Sequence, residues 1–139
     1  MLRIAEAAYA AMVGHAYDGL PDEACGLLGG PPDQDAIEVF VPCRNVDASS
    51  RTYGIGPLDW ARAEEAFDAA GLVMVGVMHS HTHTDAYPSP TDVDKADNPL
   101  LQGWHYLILS LRQDAPVLRS YRLDERIIAE EAVVLVGPH

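Results

Sequence analysis

Between His79 and Asp92 the chain reads His-Ser-His-Thr-His-Thr-Asp-Ala-Tyr-Pro-Ser-Pro-Thr-Asp, which gathers three of its six histidines into five positions. Imidazoles this dense point to metal ligation. Residues i and i+2 of a strand face the same way, so His79 and His81 can offer two ring nitrogens to one ion, and a strand end keeps that ion within reach of solvent. Zinc suits such ligands. A third ligand is required, and Asp92 can supply it if the ten residues after His81 fold back and set the first turn of a helix beside the strand end. Two histidines and a carboxylate leave a fourth tetrahedral position to water, the composition of a catalytic rather than a structural zinc site, where the pKa of that water falls to roughly 7. Amide hydrolysis then needs a general base and a proton for the leaving amine. Glu23, between Pro21 and a strand expected to begin at Ala24, is the candidate for that role.

Plainer readings compete at each position. Ser89-Pro90-Thr91-Asp92 is also a helix start, with Ser89 at the N-cap, Pro90 at the first helical position and Asp92 at the third, a variant of the capping box. A His-x-His-x-His ladder would bring in His83, and Asp85 adds a nearby carboxylate. Thr82 to Pro88 lacks a strand pattern, however, so His79 and His81 are preferred and His83 reads as a polar rim residue. His15 and His105 read as structural and His139 as a tail residue. Tyr87 and Trp104 read as packing residues, with Tyr87 near enough to line the site. The apolar setting Ala24-Cys25-Gly26-Leu27-Leu28 makes Cys25 a buried, inert thiol. Gly54-Ile-Gly56 begins like a dinucleotide fingerprint but has Asp59 where the third glycine belongs, and no Walker A, HExxH or GxSxG pattern occurs.

The elements that must position these residues follow from periodicity. Ile4 to Tyr17 has helical spacing, closed by Gly19 and Pro21. Asp22 to Gly30 and Ala36 to Pro42 read as two strands joined by a turn, and Leu58 to Ala70 as a second helix closed by Gly71. The valine-rich run Leu72 to Met78 predicts a central strand buried on both faces, whose C-terminal end delivers His79. After the loop, Ser89 opens a short helix to about Asn98, and Trp104 to Leu111, Pro116 to Leu123 and Arg126 to Val136 predict three further strands. Helices mixed with this many strands imply one α/β domain over 1–139 with a mixed sheet flanked by helices.

Composition narrows the function. The 139 residues are 48% hydrophobic, enough for a real core. Nine Lys plus Arg against 21 Asp plus Glu leave a net charge of -12, which excludes a nucleic-acid partner over most of the surface. Two cysteines, with no CxxC pair, exclude a redox motif, a zinc ribbon and a disulfide scaffold, and fit a reducing compartment. Glu6 interrupts what would be the apolar part of a secretory signal, and no stretch of roughly 18 apolar residues exists to span a membrane. A cytoplasmic protein is expected.

With the spacing in view, Glu23, then His79-Ser80-His81, seven residues, Ser89, two residues and Asp92 resemble the JAMM motif of the MPN-plus metalloproteases at every defining position. Pro21-Asp-Glu23-Ala-Cys25-Gly-Leu-Leu resembles the family's segment around its glutamate, and Ala86-Tyr87-Pro88-Ser89 its segment before the serine. The resemblance is closest to the short bacterial Mec-type members. It implies the cytidine-deaminase-like JAMM/MPN fold, one zinc per chain held by His79, His81 and Asp92, Glu23 as the proton-transferring catalytic residue, and Ser89 steadying the oxyanion. It further implies a ubiquitin-like sulfur-carrier partner, cleaved after a C-terminal Gly-Gly with release of cysteine in cysteine biosynthesis, its tail docked as an added strand. A homodimer is left open. Ubiquitin-chain cleaving members carry insertions for which this chain has little room, and RadC-type proteins share the His-x-His and serine-aspartate spacing but not the acidic balance or the Glu23 segment. Two other outcomes stand beside the Mec reading: an isopeptidase or processing protease for another ubiquitin-like protein, and a non-catalytic MPN-type scaffold.

Overall fold

The computed structural model describes residues 1–137, so His139 lies outside the described residues. Leu2 and Ile4 are wholly buried while Arg3 between them is exposed. That two-residue period makes Leu2–Ala5 a strand, β1, and the first helix, α1, starts only at Glu6 and runs to Gly19. Ile4, read from sequence as the first residue of the helical face, belongs instead to β1. Ala8, Met12 and Ala16, four apart, form the buried face of α1.

The next elements form a meander around the site. β2 (Cys25–Gly30) pairs antiparallel with β4 (Val39–Cys43), and between them β3 (Ala36–Ile37) crosses to pair with β1. The single strand expected from Ala36 to Pro42 thus breaks at Glu38 and serves two sheets. A Cβ at Gly26 would collide with the Phe40 ring, so the glycine is what lets β4 lay that ring against β2. After α2 (Pro57–Ala69), β5 spans Val73–His81. It runs three residues beyond the apolar pattern because Ser80 is tied to the chain beside Glu23: its N–H donates to the Ala24 carbonyl at 2.9 Å, and its Oγ accepts the Ala24 N–H at 2.8 Å. α3 (Pro90–Ala96), β6 (His105–Ser110) and β7 (Val117–Arg122) follow. The last predicted strand divides into β8 (Ala129–Glu131), paired with β7, and β9 (Val133–Val136), paired with β1.

The larger sheet has the order β4-β2-β5-β6-β7-β8, with β5 and β6 parallel and every other pair antiparallel; the smaller, β3-β1-β9, is parallel. Side chains alternate across β5. Val77 joins Leu27, Phe67, Tyr106 and Ile108 on one face, against which α2 packs, while Met78 joins Leu28, Leu107, Leu109 and Met12 on the other, against α1 and the small sheet. This is the α/β arrangement with a mixed sheet flanked by helices that the sequence predicts. Among the described residues no helix is long and apolar enough to cross a membrane.

Candidate active site

β5 carries His79 and His81 on one face at its C-terminal end, both buried. Their Nε2 atoms lie 3.0 Å apart, and each is 3.2 Å from Asp92 Oδ2. Asp92 reaches them from the first turn of α3, which begins with a full capping box. Its N–H donates to Ser89 Oγ at 3.1 Å, and its Oδ2 accepts the Ser89 N–H at 2.9 Å. The oxygen that caps the helix is therefore the one that faces both imidazoles.

Neighbours set the state of each ring. His81 Nδ1–H donates to the Asp85 carbonyl at 2.8 Å, so that in the neutral ring Nε2 carries the lone pair and faces Asp92 and His79. Tyr53 stacks on His79 with ring centroids 4.5 Å apart, and Lys95 Nζ sits 4.4 Å above the Tyr53 ring. Burial pushes the His79 pKa down and keeps the ring neutral. At His81 burial acts the same way, but the hydrogen bonds to Asp92 and to the Asp85 carbonyl outweigh it and the pKa rises. Burial also pushes Asp92 upward, yet its bonds to the two imidazoles prevail and hold the carboxyl well below the usual range.

The donor set fits zinc. Bond lengths of about 2.0–2.1 Å in a tetrahedral site place neighbouring donor atoms about 3.3 Å apart, against 3.0, 3.2 and 3.2 Å here. Two lone pairs and an ionised oxygen converging at that spacing repel one another unless a proton or a cation lies between them. His79, His81 and Asp92 are the group that converges in this way among the described residues, without His83 or Asp85.

Glu23 is buried beside this group. Its N–H donates to the Ser49 carbonyl at 2.8 Å and its carbonyl accepts Asn45 Nδ2 at 2.9 Å, while the Ala24–Ser80 bonds hold it to β5. Burial pushes the carboxyl up to about 7. Glu23, His81 and Ser89 share a cleft of about 340 Å³ with Ser50, Arg51 and Thr82, and His83 lies exposed on its rim. A larger hollow of about 450 Å³ lies beside Asp85, Tyr87 and Tyr121 and holds none of the three. Tyr87 lines that hollow rather than the cleft.

The residues read as structural are so placed. His15 Nε2 lies 3.0 and 3.1 Å from the Cys25 and Cys43 carbonyls, and His105 Nδ1 lies 2.6 Å from Glu131 Oε2. Trp104 stacks on Trp60. Cys25 is fully buried, and desolvation pushes its thiol up to about 12 and that of Cys43 to about 11. Three residues at the site were not singled out in the sequence. Asn45 braces the loop under Glu23, Ser80 ties Glu23 to β5, and Tyr53 covers His79. A lone aromatic in the polar run from Asn45 to Pro57 was the only signal for Tyr53.

Residues 5–124 match the family of prokaryotic homologs of the JAB domain. The chain is 40% identical over 127 residues to the CysO-cysteine peptidase of Mycobacterium tuberculosis, covering 91% of this chain and 85% of that one. It is 36% identical over 114 residues to the desampylase of Haloferax volcanii, covering 78% and 80%. Among solved structures, a JAB1/MPN domain protein from Archaeoglobus fulgidus superposes with a TM-score of 0.61 at 18% identity over 98% of this chain and 97% of that one. A structure described as a JAMM metalloprotease-like zinc site in the proteasome and signalosome gives 0.62 at 18% identity over 98% of each chain. At such identity the likeness is one of fold.

Proposed function

From the premise that this chain belongs to the JAB-domain family of prokaryotes and is a hydrolase of the JAMM peptidase type, we propose that it is a zinc-dependent peptidase acting after the C-terminal Gly-Gly of a ubiquitin-like sulfur-carrier protein and releasing cysteine. The observation that carries this is the convergence of His79 Nε2, His81 Nε2 and Asp92 Oδ2, with His81 lining the cleft that also holds Glu23 and Ser89. The relative that cleaves a CysO-cysteine bond supports the leaving group. In this reading 1–139 acts as one domain, with no membrane or nucleic-acid partner, in a reducing cytoplasm that keeps Cys25 and Cys43 as thiols.

His79, His81 and Asp92 hold one zinc, and the chemistry supplied by zinc there is a nucleophile available near neutral pH and polarisation of the scissile carbonyl. Glu23 is the catalytic residue that takes a proton from the attacking water and returns it to the leaving amine. Burial raises this carboxyl above the usual carboxylate range, toward the working pH of a group that must both take and return a proton. Ser89 Oγ accepts the Asp92 N–H, and its own hydroxyl hydrogen donates to nothing among the described residues. It is free to donate to the oxyanion.

The test is metal content together with cleavage. Purified protein with about one zinc per chain is incubated with a sulfur-carrier protein ending in Gly-Gly-Cys, and the carrier's mass is followed. Chelator-sensitive loss of the cysteine is the expected result. The desampylase relative favours a second reading, deconjugation of a ubiquitin-like protein from another protein. Zinc without cysteine release, but with release of a conjugated protein, would select it, and a chain that binds no zinc would return the scaffold reading.

A further inference from the structure

The walls of the cleft beside Glu23 carry one permanent cation, Arg51. Five of the eight arginines, Arg62, Arg112, Arg119, Arg122 and Arg126, are held in ion pairs. The Arg51 guanidinium is exposed and has no hydrogen-bonded or ionic partner among the described residues. Its backbone, by contrast, is pinned. Ser49 Oγ accepts the Arg51 N–H at 3.0 Å, the Ser49 carbonyl accepts the Glu23 N–H at 2.8 Å, and Thr82 Oγ1 donates to the Ser50 carbonyl at 3.1 Å. The loop is thus tied to the base on one side and to the residue after His81 on the other.

We infer that Arg51 binds the leaving group, pairing its guanidinium with the α-carboxylate of the C-terminal amino acid that hydrolysis releases. This rests on the cysteine-releasing reading. In that reaction the carbon–nitrogen bond breaks, the oxygen of water ends on the glycine carboxylate, a proton passes to the released amine, and the α-carboxylate is unchanged. The carbon of that carboxylate lies two bonds from the scissile nitrogen, about 2.5 Å away, so it must occupy the same cleft as Glu23. There it meets the Glu23 carboxylate on a chain of net charge -12. A cation at this point turns a repulsive subsite into a selective one, and a guanidinium suits a carboxylate in a two-pronged fit. A lysine side-chain amine as leaving group carries no carboxylate there, so the residue also separates release of a free amino acid from isopeptide cleavage.

The experiment compares two adducts of a sulfur-carrier protein, one ending in Gly-Gly-Cys as the free acid and one as the C-terminal amide, using zinc-loaded wild type, Arg51→Gln and Arg51→Lys. Wild type is expected to cleave the acid with a kcat/KM about 10- to 100-fold above the amide, the range of a charge-assisted hydrogen-bonded pair. Arg51→Gln should bring the acid down to the amide's level, chiefly through KM, and leave the amide unchanged, with Arg51→Lys between. Binding of both adducts to Glu23→Gln and to Glu23→Gln/Arg51→Gln should show the same acid preference in Kd and the same loss. Equal rates on acid and amide by wild type, or an Arg51→Gln effect equal on both, would overturn the assignment while the cysteine-releasing reaction stood. Failure of wild type to cleave either adduct, with cleavage of a protein isopeptide, would overturn the leaving group itself and this assignment with it.

Discussion

Replacing Glu23 by glutamine should make the protein more stable and inactive at once. Glu23 is buried, and desolvation raises its pKa from 4.5 to about 7. The folded protein therefore holds this proton more tightly than the unfolded chain does. The resulting stabilisation is fully present below pH 4.5 and is lost as the pH rises through about 7. Above that, the native state carries a buried negative charge with no cation bonded to it. The interval from 4.5 to about 7, at about 1.36 kcal/mol per pH unit, bounds the cost at about 3 kcal/mol, and the opening of the cleft to solvent brings it to about 1–3 kcal/mol. Glutamine keeps the shape and removes the charge. A chain of 139 residues loses about 0.3 kcal/mol per degree at its midpoint, so in EDTA-treated protein E23Q should melt about 3–10 °C above wild type at pH 8 and level with it at pH 4. Differential scanning calorimetry at both pH values checks this. With zinc restored, the same variant should bind zinc like wild type and lose about 10²- to 10⁴-fold in kcat. An E23Q protein that melts at or below wild type at pH 8 would show that the charge is compensated, and full activity in a zinc-loaded E23Q protein would falsify the role of the base.

Removing zinc with a chelator should lower the Tm, and adding it back should restore it in proportion to its concentration, about 2.7 kcal/mol at a hundredfold excess over Kd; a Tm that ignores zinc would refute a resident ion. Asp92→Asn retains an acceptor for the Ser89 N–H and should keep α3 while losing zinc, whereas Asp92→Ala should lose zinc and a further ~1 kcal/mol of capping, read by metal analysis and denaturant melts. Glu131 is pushed up by burial but pulled down further, to about 2, by its bonds to His105 and Ser120. Its contribution is present above pH 4.5 and lost as the pH falls through about 2, so Glu131→Gln should flatten the acid limb of the stability profile. An unchanged limb would sink that account.

How much of this was legible follows from the range of each signal. Local periodicity located α2 and the core of β5 to within a few residues, since buried faces at spacings of two or about four are written into the chain. It misplaced the start of α1 because Leu2 and Ile4 satisfy a two-residue period as well as the edge of a helical one, and only the parallel neighbours β3 and β9 decide between them. It joined β8 to β9 because nothing local marks the passage of the chain from one sheet to the other. The ligand-type residues stood out through chemistry and spacing. Their supports did not. Asn45 holds two segments of the chain with one side chain, and an asparagine in a polar loop looks the same whether or not it does so.

The choice that looked sharpest in the sequence, between a helix cap and a metal ligand at Ser89 and Asp92, dissolves in the geometry. A carboxylate free on a loop would lose side-chain freedom on meeting two imidazoles. Here that ordering is done beforehand, because Oδ2 already accepts the Ser89 N–H and the Asp92 N–H is already bound to Ser89 Oγ. The cap leaves Oδ2 equidistant, at 3.2 Å, from His79 Nε2 and His81 Nε2. Strand β5 does the same for the rings, with Tyr53 stacked on one and the Asp85 carbonyl holding the other. What reads as ordinary secondary-structure chemistry is thus the means by which three donors are brought to nearly tetrahedral spacing. The capping serine is also left with a hydroxyl hydrogen to spare inside the cleft. Helix start and candidate metal site are one arrangement, and a substitution that spares the first while removing the second, such as Asp92→Asn, separates the two energies.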